Sequence, residues 1–350
     1  MRRVFITRHL KNFLLLIVAF IAFIVITSLL IVGGEGNKST NKKDFVNKFE
    51  INESATKYIS LPKISSVKVL ITKENIIRDI NLEEYVTGVV ASEMPAAFDI
   101  EALKAQAVAS RTYALAHISE LDGAPCKNGK GADLCDTVHC QVYKTKDELI
   151  RAWEKASKNS GEKYFQKIKM AVESTSGQVL TYNSKLVMEP YYFATSSGKT
   201  ENSEDVFSGS VPYLKSVESP GEERAGSFKS SNIFKYSELS RIINNNYNNA
   251  NLSLANIKKG IKIIERSEAG SVKIIKVGSI TMTGSKFRTM LGLKSSNFEI
   301  VFSLNDVEIN CSGYGHGVGM SQWGADAMAK SGKNYIEILN HYYSGTVISK

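Results

Sequence analysis

Apolar residues recur along the chain with a period that changes several times, and the changes mark the elements. From Leu82 the apolar positions Leu82, Val86 and Val89 keep helical spacing, which predicts a helix. Asn81 stands before it as a cap, with Glu84 three residues on. One turn further the same face reaches Glu93, an acid where an apolar residue is due, and Pro95 then ends the helix. A second helix is predicted from Ile100, capped by Asp99, to about residue 118; its many alanines leave it small-sided and able to pack closely. Strands are expected at 67–71 and 76–80, in a hairpin of 178–182 with 186–188 across Asn183-Ser184, and at 211–217, 298–304 and 307–310. Helices are expected at 146–158, 165–174 and 283–293, a polar helix within 227–251, and mixed helix and strand over 257–264 and 274–280. Short strands and helices without a βαβ rhythm place the chain in the α+β class, and two lobes around a cleft are expected for 61–350.

The first residues follow another pattern. Arg2, Arg3, Arg8 and Lys11 precede an uncharged run of 20 residues, 13–32, long enough for a bilayer core. Gly33-Gly34-Glu35-Gly36 follows without a small-x-small cleavage site. Residues 1–11 therefore read as a cytoplasmic tail, 12–32 as a single-pass transmembrane signal anchor, 33–60 as a polar linker, and 61–350 as an extracytoplasmic catalytic region. The net charge of +9 suits a polyanionic wall or membrane surface. No zinc-finger, helix-turn-helix or RNA-binding signature points to nucleic acid.

Several residues carry candidate chemistry. Glu93 stands at a negative helix end and at the edge of an apolar face; both raise a carboxyl pKa, as a general acid needs. The alternative is a helix-end glutamate that reaches water. Lys104 and Arg111 share a half-apolar face with Val108 and Leu115, as groove-lining cations or as snorkelling surface residues. Glu101, in the first turn of its helix, is expected to stay ionised there. The stretch 191–200, YYFATSSGKT, is an aromatic strand running into small hydroxyl residues, a lining found in carbohydrate clefts and also an ordinary strand end. Cys135, His139 and Cys140 offer thiolate and imidazole donors suited to zinc; the rivals are a Cys126–Cys135 disulfide and free buried thiols. The run GYGHGVGMSQWGA, 313–325, is neither a Walker A loop nor a usable dinucleotide fingerprint. His316 within it has a substrate-contact or helix-start role, and Gln322 and Trp323 supply an amide and an aromatic plate suited to sugars.

Taken in order, EYVTGVVASEMP, EALKAQAVASRTYAL, DTVHCQVY, YYFATSSGKTE, VPYLKSVESP and GYGHGVGMSQWGA resemble the stage II sporulation protein D family, membrane-anchored lytic transglycosylases of endospore formers. The resemblance implies cleavage of the MurNAc–GlcNAc β-1,4 bond in peptide-stripped peptidoglycan, leaving 1,6-anhydroMurNAc ends. It implies action in forespore engulfment, at the septal membrane, with a partner amidase and a third membrane protein. The family's catalytic glutamate falls on Glu93, and a structural zinc in some members falls on Cys135, His139 and Cys140, no metal being needed for the chemistry. Lys104, Gln106, Arg111, Tyr113, Ser196, Ser197, His316 and Gln322 are the candidates to hold the sugar. Two other readings stand beside it: a two-carboxylate muramidase with Asp99 or Glu101 as second acid, and a non-enzymatic wall-binding scaffold for an amidase.

Overall fold

An antiparallel hairpin, β1 (Ser66–Ile71) and β2 (Ile76–Asn81), runs directly into α1 (Leu82–Glu93) in the computed structural model, which describes residues 64–350. Asn81 ends the strand and caps the helix, its side-chain oxygen accepting from the amides of Glu83 and Glu84. Met94 turns to an extended backbone ahead of Pro95, and Asp99 caps α2 (Ile100–Leu115) by accepting from the Glu101 amide. β3 (Leu134–Cys135) then lies parallel to β1. Two amphipathic helices follow, α3 (Lys146–Ala156) and α4 (Gly161–Ser174). The hairpin β4 (Val179–Tyr182) and β5 (Lys185–Leu186) turns through Asn183 and Ser184, both at positive φ, and β6 (Tyr192–Phe193) comes after it.

The chain then builds a second hydrophobic core. β7 (Lys229–Lys235) leads into α5 (Tyr236–Asn246); β8 (Ile261–Arg266), β9 (Val272–Val277) and β10 (Ile280–Thr283) form a meander; α6 (Gly284–Leu291), β11 (Phe298–Phe302) and β12 (Asp306–Ser312) complete it. β12 is the central strand between β11 and β7, with Ser312 opposite Lys229. The Gly313 amide donates to the Phe228 carbonyl at 2.8 Å. The second core is thus an insertion whose two ends lie side by side. The chain returns to the first core through β13 (Met320–Ser321), parallel to β6, then α7 (Gln322–Lys330), α8 (Tyr335–Tyr342) and β14 (Val347–Ser349), which pairs with β4.

α2 is the axis of the first core. α1, α4, α7, α8 and β4 all pack on it, and Ala102, Ala105, Ala107 and Ala109 are wholly buried, so small side chains let the neighbours close in on every side. One long side chain runs through this packing. The buried Arg111 guanidinium donates to both carboxylate oxygens of Glu83, at 2.9 and 2.6 Å, and to the carbonyls of Gln178 and Val172. It therefore braces α1, α2 and the end of α4 at one point.

The α+β class holds, and the helix pair around Pro95 lies where periodicity placed it. The expected membrane anchor does not stand: among the described residues no helix is long and apolar enough to cross a membrane. The longest of them, α2, has 16 residues, against about 20 for a span. The segments 1–11, 12–32 and 33–60 lie outside the described residues, and the membrane localisation drawn from them loses its support. Residues 211–217 form no strand; Pro212 lacks the donor a ladder needs, and Val211 and Leu214 close a turn instead. β7 replaces the first part of the helix expected within 227–251, because KSSNIFK finds a full ladder partner in β12.

Arg111→Ala is expected to destabilise the fold by about 3–5 kcal/mol, the loss typical of breaking a buried ion pair. Urea denaturation of both proteins measures it; a loss below about 1 kcal/mol would mean that the brace is incidental.

Candidate active site and metal centre

A cavity of about 410 Å³ opens at the end of α1. Glu93, the last residue of that helix, lines it and is half-buried. Its Oε1 accepts a 2.9 Å hydrogen bond from the Val142 amide, and the Gln322 side chain hydrogen-bonds the same carboxylate. Burial raises the Glu93 pKa, and these two bonds oppose it without cancelling it. Glu93 is the one carboxylic acid among the lining residues. Asp99 and Glu101 are occupied elsewhere: Asp99 caps α2, and Glu101 pairs with Lys104 at 2.7 Å and accepts from the Tyr335 amide.

Behind Glu93 lies a chain of uncharged polar groups. Gln322 donates to the Gln106 carbonyl oxygen at 3.4 Å, and Gln106 donates to Ser110 at 2.9 Å. The Tyr192 hydroxyl, hydrogen-bonded to Ser110, accepts from Gln141 at 2.8 Å, and the Gln141 carbonyl accepts from Tyr85 at 3.3 Å. Gln106 and Gln322 are therefore buried supports under the acid. α7 delivers Gln322 to this position because Ser321 caps the helix, accepting from the Gly324 amide.

The opposite wall is aromatic. Phe207, Tyr191 and Phe193 surround His316, with ring centroids 5.6, 6.0 and 5.6 Å from the imidazole. The Val318 amide donates to Nδ1 of His316, which leaves Nε2 to carry the proton and donate to the Tyr192 carbonyl at 3.1 Å. Burial and nearby Arg288 push the His316 pKa down to about 4, so the ring is neutral at physiological pH. Both nitrogens are committed, and His316 offers its face, not a donor. Tyr113 also lines the cavity, stacked on His117 at 4.3 Å.

Of the eight expected sugar-binding residues only Tyr113 and His316 line the cavity; Gln106 and Gln322 lie behind the acid, and the other four are engaged elsewhere. Arg111 is wholly buried in its brace, and Lys104 serves Glu101 and the Tyr335 ring. Ser196 donates to buried Glu222 at 2.9 Å, and Ser197 donates to the Ala269 carbonyl of the inserted core. Phe207, Gln141 and Val142 are site residues that no side-chain pattern in the sequence marks, whereas the aromatic run at 191–193 does carry a signal there.

His139 and Cys140 form the cavity's third side and belong to a donor cluster. The Sγ atoms of Cys126, Cys135 and Cys140 and a ring nitrogen of His139 all lie within 4.8 Å of one another. His139 Nδ1 is 3.3, 3.9 and 3.6 Å from the three sulfurs, and Cys135 Sγ is 3.5 Å from Cys140 Sγ. Tetrahedral ligands at ordinary metal–sulfur and metal–nitrogen lengths stand about 3.5–3.8 Å apart, so the set fits such an ion. Cys126 joins it because its amide bonds back to Asp133, folding 126–133 into a turn beside β3. The four cysteines are free, so the Cys126–Cys135 disulfide reading falls. Cys140 stands two residues before Val142, so the cluster and the amide that holds Glu93 share one short segment.

A family model described as stage II sporulation protein matches residues 71–182, which contain Glu93 and all four members of the donor cluster. The chain is 36% identical to stage II sporulation protein D of Bacillus subtilis (strain 168), over 93% of this chain and 92% of the relative. It is 37% identical to stage II sporulation protein D of Bacillus amyloliquefaciens, over 81% and 79% of the two chains. It is also 30% identical to a Bacillus subtilis protein named amidase enhancer, over 75% of this chain and 40% of that protein.

A raised pKa means that folding favours protonated Glu93. Its contribution to stability is present below the unfolded carboxyl value, about 4.3, and is lost as pH rises through the higher folded value. Glu93→Gln keeps an acceptor for Val142 and is expected to raise the melting temperature at neutral pH, with little gain near pH 4. Thermal melts at the two pH values check this, and an equal gain at both would refute the burial argument.

Proposed function

We propose that this protein is a peptidoglycan lytic transglycosylase acting in sporulation, from one premise: the chain belongs to the stage II sporulation protein D family. The observation that carries the reading is the solitary carboxylic acid of the cavity, half-buried and biased toward its protonated form. A hydrolase of the usual kind needs two carboxyl groups about 5 to 10 Å apart around the scissile bond. A lyase that closes the sugar on itself needs one.

In this mechanism protonated Glu93 gives its proton to the glycosidic oxygen as the C1–O bond of the MurNAc residue breaks. The resulting carboxylate takes the proton of the muramyl C6 hydroxyl while O6 bonds to C1. The leaving chain ends in a 4-hydroxyl, the MurNAc end becomes 1,6-anhydro, and Glu93 is reprotonated without water. Val142 and Gln322 hold the carboxylate in place through both transfers. The groups behind it are neutral amides and hydroxyls, with no second carboxylate or imidazole among them, which suits a cycle with no net proton exchange. Tyr191, Phe207 and Phe193 offer apolar faces to sugar rings. Tyr113 remains our candidate to hydrogen-bond the sugar, with peptide-free glycan as the favoured substrate. Forespore engulfment is the process in which this cleavage would act.

Cys126, Cys135, His139 and Cys140 would hold zinc, a donor set typical of structural sites. Its contribution there is to fix the loop that presents Val142. The relative named amidase enhancer supports an amidase as a working partner.

Glu93→Gln is expected to lose glycan cleavage by about a thousandfold, within the usual range for removal of a general acid. Mass spectrometry of the wild-type products is expected to find 1,6-anhydro ends; ends heavier by one water would establish a hydrolase, and a variant that still cuts would remove Glu93 from the mechanism. Elemental analysis is expected to find close to one zinc per chain, reduced in Cys126→Ser; a metal-free wild type purified without chelator would refute the zinc assignment.

A further inference from the structure

The inserted core carries a basic surface that the catalytic cavity does not use. From 229 to 312 the chain has twelve lysines and arginines against six aspartates and glutamates, a net charge of +6 out of +9 for the whole protein. A second cavity, of about 600 Å³, lies where the start of α5 meets the 254–259 segment and the β11–β12 turn. Lys235, Lys258 and Lys259 line it, together with Tyr236, Leu254 and Leu304. Lys235 pairs with Asp306 at 2.8 Å; among the described residues Lys258 and Lys259 meet no carboxylate. The two leucines are 62% and 83% exposed, high values for large apolar side chains standing beside one concavity.

We propose that this surface docks an acidic segment of a partner protein, one that sets leucine- or phenylalanine-like side chains among its carboxylates. Charge complementarity calls for an anionic occupant. The leucines select among anionic occupants: a phosphate-rich wall polymer would neutralise the lysines and leave Leu254 and Leu304 in water, whereas an amphipathic peptide covers them. The topology fits a partner that works beside the glycan. β12, seven residues and roughly 24 Å long, starts next to Asn305 of this cavity and leads into Tyr314, Gly315 and His316 of the catalytic one. No residue lines both cavities, so a docked partner leaves Glu93 open. The inference does not depend on the reaction proposed at Glu93.

The test uses the purified full chain and fluorescence anisotropy. The probe is a set of labelled peptides of about twelve residues, rich in glutamate, with two leucines or phenylalanines at different spacings. Glutamate-only peptide and inorganic polyphosphate are the comparison ligands. At least one apolar-bearing peptide is expected to bind better than glutamate-only peptide. Lys258→Glu with Lys259→Glu is expected to weaken it about tenfold or more, and Leu254→Ser with Leu304→Ser by a similar factor. These positions are exposed, and unchanged melting temperature and glycan cleavage would verify that each variant is folded. Binding indifferent to the leucine changes, or polyphosphate binding as tightly as the best peptide, would overturn the proposal in favour of a plain polyanion surface. Binding indifferent to the lysine reversal, or no peptide binding, would overturn it outright.

Discussion

The Arg111–Glu83 pair sets the geometry on which the rest of the first core depends. A guanidinium with no access to solvent must find a partner for its charge and for its N–H groups, and it does so on three elements at once. α1 is thereby held against α2, and the alanine-rich sides of α2 bring the other helices into contact. The consequence falls at the far end of α1, where Glu93 emerges. An acid placed on a helix end moves with that helix, so fixing α1 fixes the acid.

The site itself is assembled from pieces far apart in sequence. α1 contributes the acid, the segment after the cysteine cluster contributes the amide that holds it, α7 contributes the supporting glutamine, and the glycine-rich return from the inserted core sets His316 among the aromatic rings of Tyr191, Phe193 and Phe207. Glycine is required at Gly319, where φ is 81° and a Cβ would lie 2.0 Å from the Tyr191 carbonyl. That close approach lets β13 run beside β6 and brings His316 against the aromatic residues of 191–193.

The parts legible in the sequence are those whose physics is local. Asn81 and Asp99 announce helix starts because capping involves residues two or three apart. Glu93 stands out because it breaks a helical period. Cys135, His139 and Cys140 are close in the chain, so their common chemistry is visible, while Cys126 joins them through a turn the spacing does not dictate. Arg111 shows the limit from the other side. Its period places it on a half-apolar face, and the sequence cannot tell a snorkelling cation from a buried one whose partner is Glu83, 28 residues away. Ser196 and Ser197 look like sugar ligands by type, yet long-range packing turns them to Glu222 and the inserted core. Val142 acts through its backbone, which no side-chain pattern can reveal. The expected anchor rested on composition in a segment outside the described residues, and no helix within them has that character.

The pairing of β7 with β12 at the base of the insertion has a consequence for how the two cores share one chain. Because the strands enter and leave side by side, the first core meets the insertion as though it were the base of a hairpin. Loop-closure entropy grows only slowly with length, so 84 intervening residues restrain the first core little more than a far shorter excursion would. The inserted core can therefore change its surface, its charge or its size without displacing the ends that the first core requires. The half that holds Glu93 is kept to one geometry, and the other half is under no such constraint from it.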